Sequence, residues 1–173
     1  MTIFSYKITY DTGAAPCIQN NLFSLAICKP KIRKCAKIGD YIIGFYANSI
    51  SQNNYMAYIA KITDKKTFKE YYKTHSERTD CIYDDQLNLL KNTFHETCHT
   101  ECDLNGEFIL LSNDFIYFGD KNIQISEPFK CMIPNRGHFS KKNQPNEPKI
   151  TDYFERLKHK YGTYKLGNHI HAN

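Results

Sequence analysis

The chain contains no tryptophan. None of its apolar runs approaches the length of roughly 20 residues that spans a bilayer. The first absence leaves flat aromatic surface to thirteen tyrosines and eleven phenylalanines; the second argues against a membrane protein. Residues 1–13 alternate polar and apolar side chains and lack the continuous apolar segment of a signal peptide. A soluble, cytoplasmic chain is therefore expected. There is no GxGxxG, no Walker loop, no CxxC pair, no internal repeat and no low-complexity stretch. Dinucleotide folds, P-loop enzymes, zinc ribbons and solenoids therefore have no support.

What is present suits one ordinary domain. The chain has 173 residues, and 41% of them are hydrophobic. A chain of that size can build a core without staples. Seven cysteines (17, 28, 35, 81, 98, 102, 131) make an odd set without framework spacing. That fits a reducing compartment better than a disulfide scaffold. The net charge is +5, carried mainly by residues 1–40 and 115–173, while residues 81–114 are acidic. A basic surface of this kind points first to nucleic acid.

Phe4, Tyr6, Ile8 and Tyr10 alternate with polar residues, the period of a half-buried strand. Further strands are expected over Leu22–Cys28, Tyr41–Ala47, 55–63, 106–112 and 115–119, with weaker ones over 123–133. The 106–112 and 115–119 segments read as a strand pair around Asn113-Asp114. Thr67 and Glu70 stand at capping-box spacing, so a helix should cover Phe68 to about His75. Asp84 or Asp85 can cap a second helix with Leu87, Leu90, Phe94 and Cys98 on one face. Thr151 can cap a last one, striped by Ile150, Phe154, Leu157 and Tyr161 and ended by Gly162. The order argues for a single α+β domain over 1–162, with a curved, mostly antiparallel sheet and flanking helices, followed by a flexible tail at 163–173.

"HETCH", 95–99, matches HExxH, which places two imidazoles one helical turn apart on zinc. Its neighbours are polar and acidic, and no third ligand is apparent. The wider cluster His95, Cys98, His99, Cys102 and Asp103 could hold a structural zinc, but one straight helix cannot close a tetrahedron; Cys98 therefore reads as packed inward with His95 and His99 on a wet flank, and neither metal nor cofactor is expected. No catalytic residue stands out.

"CKPKIRKCAKIGD", 28–40, is the densest basic run. Lys29, Lys31, Arg33, Lys34 and Lys37 lie there with no acid before Asp40. Pro30 prevents a helix from running straight through, and Gly39-Asp40 turns into the next strand. Alone, the run is either a solvated turn or a rail for phosphates.

The phrases "YKITYDTGAAPC" and "LFSLAICKPKIRKCAKIGDYIIGF" resemble the opening of the nucleotide modification associated domain 2 family. "DCIYD" at 80–84, "ILLSNDFIYFG" at 109–119 and Arg136-Gly137-His138 are similar to later pieces of it, so the resemblance spans 3 to about 160. Cys17 departs from the polar residue expected after Ala-Pro. The Gly-Asp turn also resembles one in PUA, ASCH and EVE-like barrels, so a PUA-like partial barrel is the alternative fold. The resemblance implies work with nucleotide-modification systems of phages and bacteria. It turns the basic run and Arg136 into expected nucleic-acid contacts, with Ile32 and Ile38 anchoring the run in the core. It makes Tyr10, Asp11, Thr12, Ser112, Tyr117 and His138 the expected pocket for a flipped base or nucleotide. The expected partner is DNA or RNA, modified or not. An enzyme acting on a nucleotide or base, with Asp11 or His138 as acid or base, is the alternative. A protein partner on the acidic segment 84–103 is the third reading.

Overall fold

The computed structural model of the chain describes residues 1–51, 53–90, 100–135, 137–142 and 149–171. Ten strands and four helices are found among them, in an α+β arrangement of two sheets. The larger sheet contains β1 (Thr2–Ile8), β4 (Tyr41–Tyr46), β5 (Met56–Lys61), β8 (Asp114–Tyr117), β9 (His138–Lys142) and β10 (Tyr164–Lys165), in the order β10-β8-β5-β4-β1-β9. The smaller runs β2-β3-β7-β6, from Cys17–Gln19, Leu22–Leu25, Phe108–Ser112 and Asp64–Thr67. Among the described residues, parallel pairing is confined to β1 with β4 and β10 with β8, so the sheets are mostly antiparallel. No closed barrel forms among the described residues.

The alternation of β1 predicts a half-buried strand, but β1 is covered on both faces, and Ser5 is buried as well. Phe4, Tyr6 and Ile8 join Phe23 and Leu25 of β3, Ile32 of α1 (Pro30–Cys35), and Leu110 of β7 in one buried cluster. Ile3, Tyr41 and Ile43 face the other way, against α4 (Ile150–Tyr161) through Phe154 and Leu157. With a sheet or helix on each face, β4 is buried along its whole length, which is why "YIIGFY" is a continuous apolar run. The far face of the smaller sheet is covered by Phe68 and Tyr71 of α2 (Phe68–His75). Helix α2 begins as its spacing predicts: Thr67 accepts from Glu70 N–H, and Glu70 accepts from Thr67 N–H. No helix among the described residues is long and apolar enough to cross a membrane.

Several local expectations are corrected. Segments 108–112 and 114–117 do not pair: β7 and β8 lie in different sheets. The crossing is made at Ser112, fully buried, whose hydroxyl accepts from Asp114 N–H at 3.0 Å and reaches Lys61 O at 2.5 Å. Residues 127–132, expected as part of a weak strand, form a 3-10 turn. Residues 84–90 are not helical: Asp84 accepts from Gln86 and Asn88 N–H, and Leu87 sits at φ 67. The expected contribution of Phe94 and Cys98 lies outside the described residues. The next helix among the described residues is α3 (Thr100–Leu104). The N-cap of α4 is Lys149, not Thr151, while Gly162 ends the helix as expected, at φ 85.

Residues 164–165 add β10 beside β8, and Leu166 N–H donates to Tyr117 O. The segment that follows lies directly on the 117–119 backbone. A Cβ at Gly167 would overlap Phe118 O. Only glycine permits that approach.

Candidate nucleotide-binding clefts

Pro30 opens α1 and disfavours right-handed helical geometry in the residue before it. Cys28 and Lys29 both take left-handed conformations, at φ 57 and φ 45. Two such non-glycine residues in succession cost about 1–3 kcal/mol each unless the surroundings fix them. Here the surroundings do. Cys28 N–H donates to Asp103 Oδ1 at 2.6 Å, and Cys28 O accepts from Arg33 Nε at 2.7 Å. Arg33 also donates from Nη1 to Phe108 O at 2.8 Å and from Nη2 to Asp103 O.

Arg33 is 0% exposed, and three carbonyls take its donors, so it braces the ridge from inside. Burial pulls its pKa down to about 10, against the opposing pull of Asp103, and it stays charged at neutral pH. Ile32 is buried as expected, whereas Ile38 is 63% exposed. Gly106 makes room for the brace, because a Cβ there would overlap Arg33 Cζ. Gly106→Ala is expected to cost about 1–3 kcal/mol, read as a lower urea midpoint. An unchanged midpoint would mean that the guanidinium is free to shift.

The braced Cys28–Lys29 ridge is the shared wall of two clefts. One, about 320 Å³, is lined by Tyr6, Ile8, Tyr10, Thr12 and Ala14. The other, about 430 Å³, is lined by Pro30, Lys31, Ile32, Cys102, Asp103 and His138. Pairing of β1 with β9 sets Tyr6 opposite His138, which carries the second cleft to the sheet edge. Lys29 Nζ stands 4.7 Å from the centre of the Tyr6 ring. The ammonium makes no hydrogen bond or ion pair among the described residues. Burial pushes its pKa below the ordinary lysine value, while the neighbouring Cys28 and Cys102 pull the other way.

Beneath the first cleft lies a buried polar network. Asp11 Oδ2 accepts from the hydroxyls of Tyr46 and Tyr117, each at 2.6 Å. Asp11 Oδ1 is 2.8 Å from His169 Nδ1, which is also 2.6 Å from the Tyr117 hydroxyl. Burial opposes ionisation of Asp11, but the bonds from His169, Tyr117 and Tyr46 outweigh it and hold the carboxyl below its ordinary pKa. Backbone bonds complete the clasp: Asp11 N–H donates to His171 Nδ1, and His171 N–H donates to Asp11 O. The Tyr10 ring rests on His171 with centres 4.5 Å apart.

Of the residues picked from sequence, Tyr10 and Thr12 line the first cleft, Lys31 and His138 the second, and Lys29 both. Asp11 and Tyr117 are 1% and 0% exposed, so they support the cleft from below; a general-base role for Asp11 would require its buried oxygens to release three donors. Ser112 sits in the sheet crossing and lines neither cleft. Lys34 pairs with Glu107, and Lys37 is exposed beyond α1. Arg136 and the HExxH stretch lie outside the described residues. Among those described, no three His, Cys, Asp or Glu gather as a metal site.

Sequence reasoning missed Tyr6, Tyr46, His169 and His171. The alternating histidines of "GNHIH", 167–171, were the available signal for the last two. No curated protein and no solved structure matches the chain. The family model described as nucleotide modification associated domain 2 matches residues 1–169, from β1 through the clasping His169, and the chain belongs to that family.

Proposed function

We propose that this chain binds nucleic acid, or a modified base or nucleotide within it, as a reader or accessory module of a nucleotide-modification system in the cytoplasm. The observation that carries the reading is the Lys29 ammonium: half-buried, on a strained and braced ridge, and without an internal anion among the described residues. A half-buried cation without a partner is costly, and a phosphate supplies the missing charge. Tyr10 is 67% exposed beside it. Its ring offers a base the stacking surface it loses on leaving a helix. Lys31 and Lys37, both exposed, add the sequence-blind attraction that a net charge of +5 favours.

Fluorescence anisotropy with labelled single-stranded DNA and RNA, between roughly 50 and 200 mM salt, tests this. Lys29→Met is expected to weaken binding about tenfold and to lower the log–log salt slope by about 1, with an unchanged melting curve. Affinity that is flat in salt, or equal in the wild type and the variant, would overturn the reading.

A further inference from the structure

We infer that the ligand is a dinucleotide step of a single strand, with two neighbouring bases splayed into the two clefts and their linking phosphate on Lys29. This rests on the nucleic-acid reading above and adds the shape of what is bound.

The two clefts are separate cavities with one wall in common, and that wall carries the cation. A nucleic-acid strand has the same alternation, one anionic phosphodiester between each pair of bases. The linings differ in chemistry. Tyr10, 67% exposed, gives the first cleft an open aromatic face suited to stacking, with the buried Tyr6 in its wall. The second offers Pro30 and Ile32 as an apolar floor, with His138, Lys31, Cys102 and the buried Asp103 as its polar groups. Bases held on either side of a ridge cannot stack on each other. A duplex is therefore excluded from this site, and an unpaired, unstacked segment is what fits.

The wall is fixed in advance. Cys28 is tied at its N–H by Asp103 and at its carbonyl by Arg33, both buried, so the separation of the clefts does not depend on a ligand. Preorganisation of this kind favours a ligand that already matches the spacing over one that must remodel the site.

The experiment measures competition by 5′-phosphorylated deoxythymidylate chains of one, two and three nucleotides, and by a hairpin duplex. The dinucleotide is expected to bind at least about tenfold tighter than the mononucleotide, because a second base becomes buried. The third nucleotide should add less than about twofold, and the duplex should compete weakly. Lys29→Met should erase the gain from one nucleotide to two. His138→Ala should weaken the dinucleotide and leave the mononucleotide unchanged, whereas Tyr10→Ala should weaken both. Equal affinity for one and two nucleotides would overturn the two-cleft assignment while leaving nucleotide binding intact. So would a steady gain with every added nucleotide, or a duplex that binds as well as the single strand. Failure of every probe to bind would remove this inference together with the reading beneath it.

Discussion

Arg33→Met is expected to lower stability by about 3–5 kcal/mol, a fall in melting temperature of roughly 6–20 °C for a chain of this length. The substitution keeps an unbranched side chain in the space but leaves the carbonyls of Cys28, Asp103 and Phe108 without their buried donors. It also removes the guanidinium from the face of Phe68, whose ring centre is 5.6 Å away. Arg33→Lys should recover little, because one ammonium on a flexible stem cannot reproduce the planar fork that spans three carbonyls. Lys31 is exposed in the same helix. Lys31→Met should therefore leave the melting temperature within about 2 °C of wild type. Thermal melts of the three variants separate a brace from a surface contact. If Arg33→Met melted with the wild type and lost only ligand affinity, the guanidinium would belong to the binding surface after all.

The second large effect is expected at Asp11. Two tyrosines and a histidine bond its carboxylate. Asp11→Asn should cost about 2–3 kcal/mol at neutral pH, because these charge-assisted bonds become ordinary or mismatched ones. The penalty has a definite pH dependence. Asp11 is held below its ordinary carboxyl pKa. Its contribution is therefore complete above the unfolded value of about 4 and is lost as pH falls toward the folded value. The gap between wild type and variant in urea unfolding should narrow between neutral pH and about pH 3. Hydrogen exchange supplies an independent readout. Amides of 166–171 should exchange faster in Asp11→Asn, since Asp11 holds both His169 and His171. A variant with wild-type stability and a protected tail would show that the clasp does not depend on the carboxylate.

Both effects fall on residues that looked like ligand contacts in the linear sequence. Position explains the difference. Arg33 follows Pro30 by three residues on a short helix, so it faces inward beside Ile32, while Lys31 and Lys34 face out. A run of five basic residues cannot reveal which member turns to the core until the helix is known to begin at Pro30. Asp11 was legible as part of a turn, but its partners Tyr46, Tyr117 and His169 arrive from two other strands and the chain's far end.

Local pattern was informative where neighbours alone determine the outcome. The alternation of Phe4, Tyr6 and Ile8, the continuous run of β4, the Thr67–Glu70 box and the stripe of α4 all became the elements their periods imply. So did the α+β class and the family, through phrases such as "CKPKIRKCAKIGD". Pairing was beyond it. Segments 108–112 and 114–117 adjoin in sequence and look like a hairpin, yet a buried serine sends them into different sheets. The tail at 163–171 carries no strong period, and its order comes from contacts with residues far away in sequence, Asp11 above all.

For the stretch 28–40, the sequence determined that it is basic, interrupted by Pro30 and turned at Gly39-Asp40. Only the tertiary structure decided that Arg33 braces the ridge from inside and that the Lys29 ammonium stands on the wall between both clefts. The physical reason is that charge is a property of a residue, whereas its role depends on which buried carbonyls, rings and cavities the fold brings within a few ångströms of it.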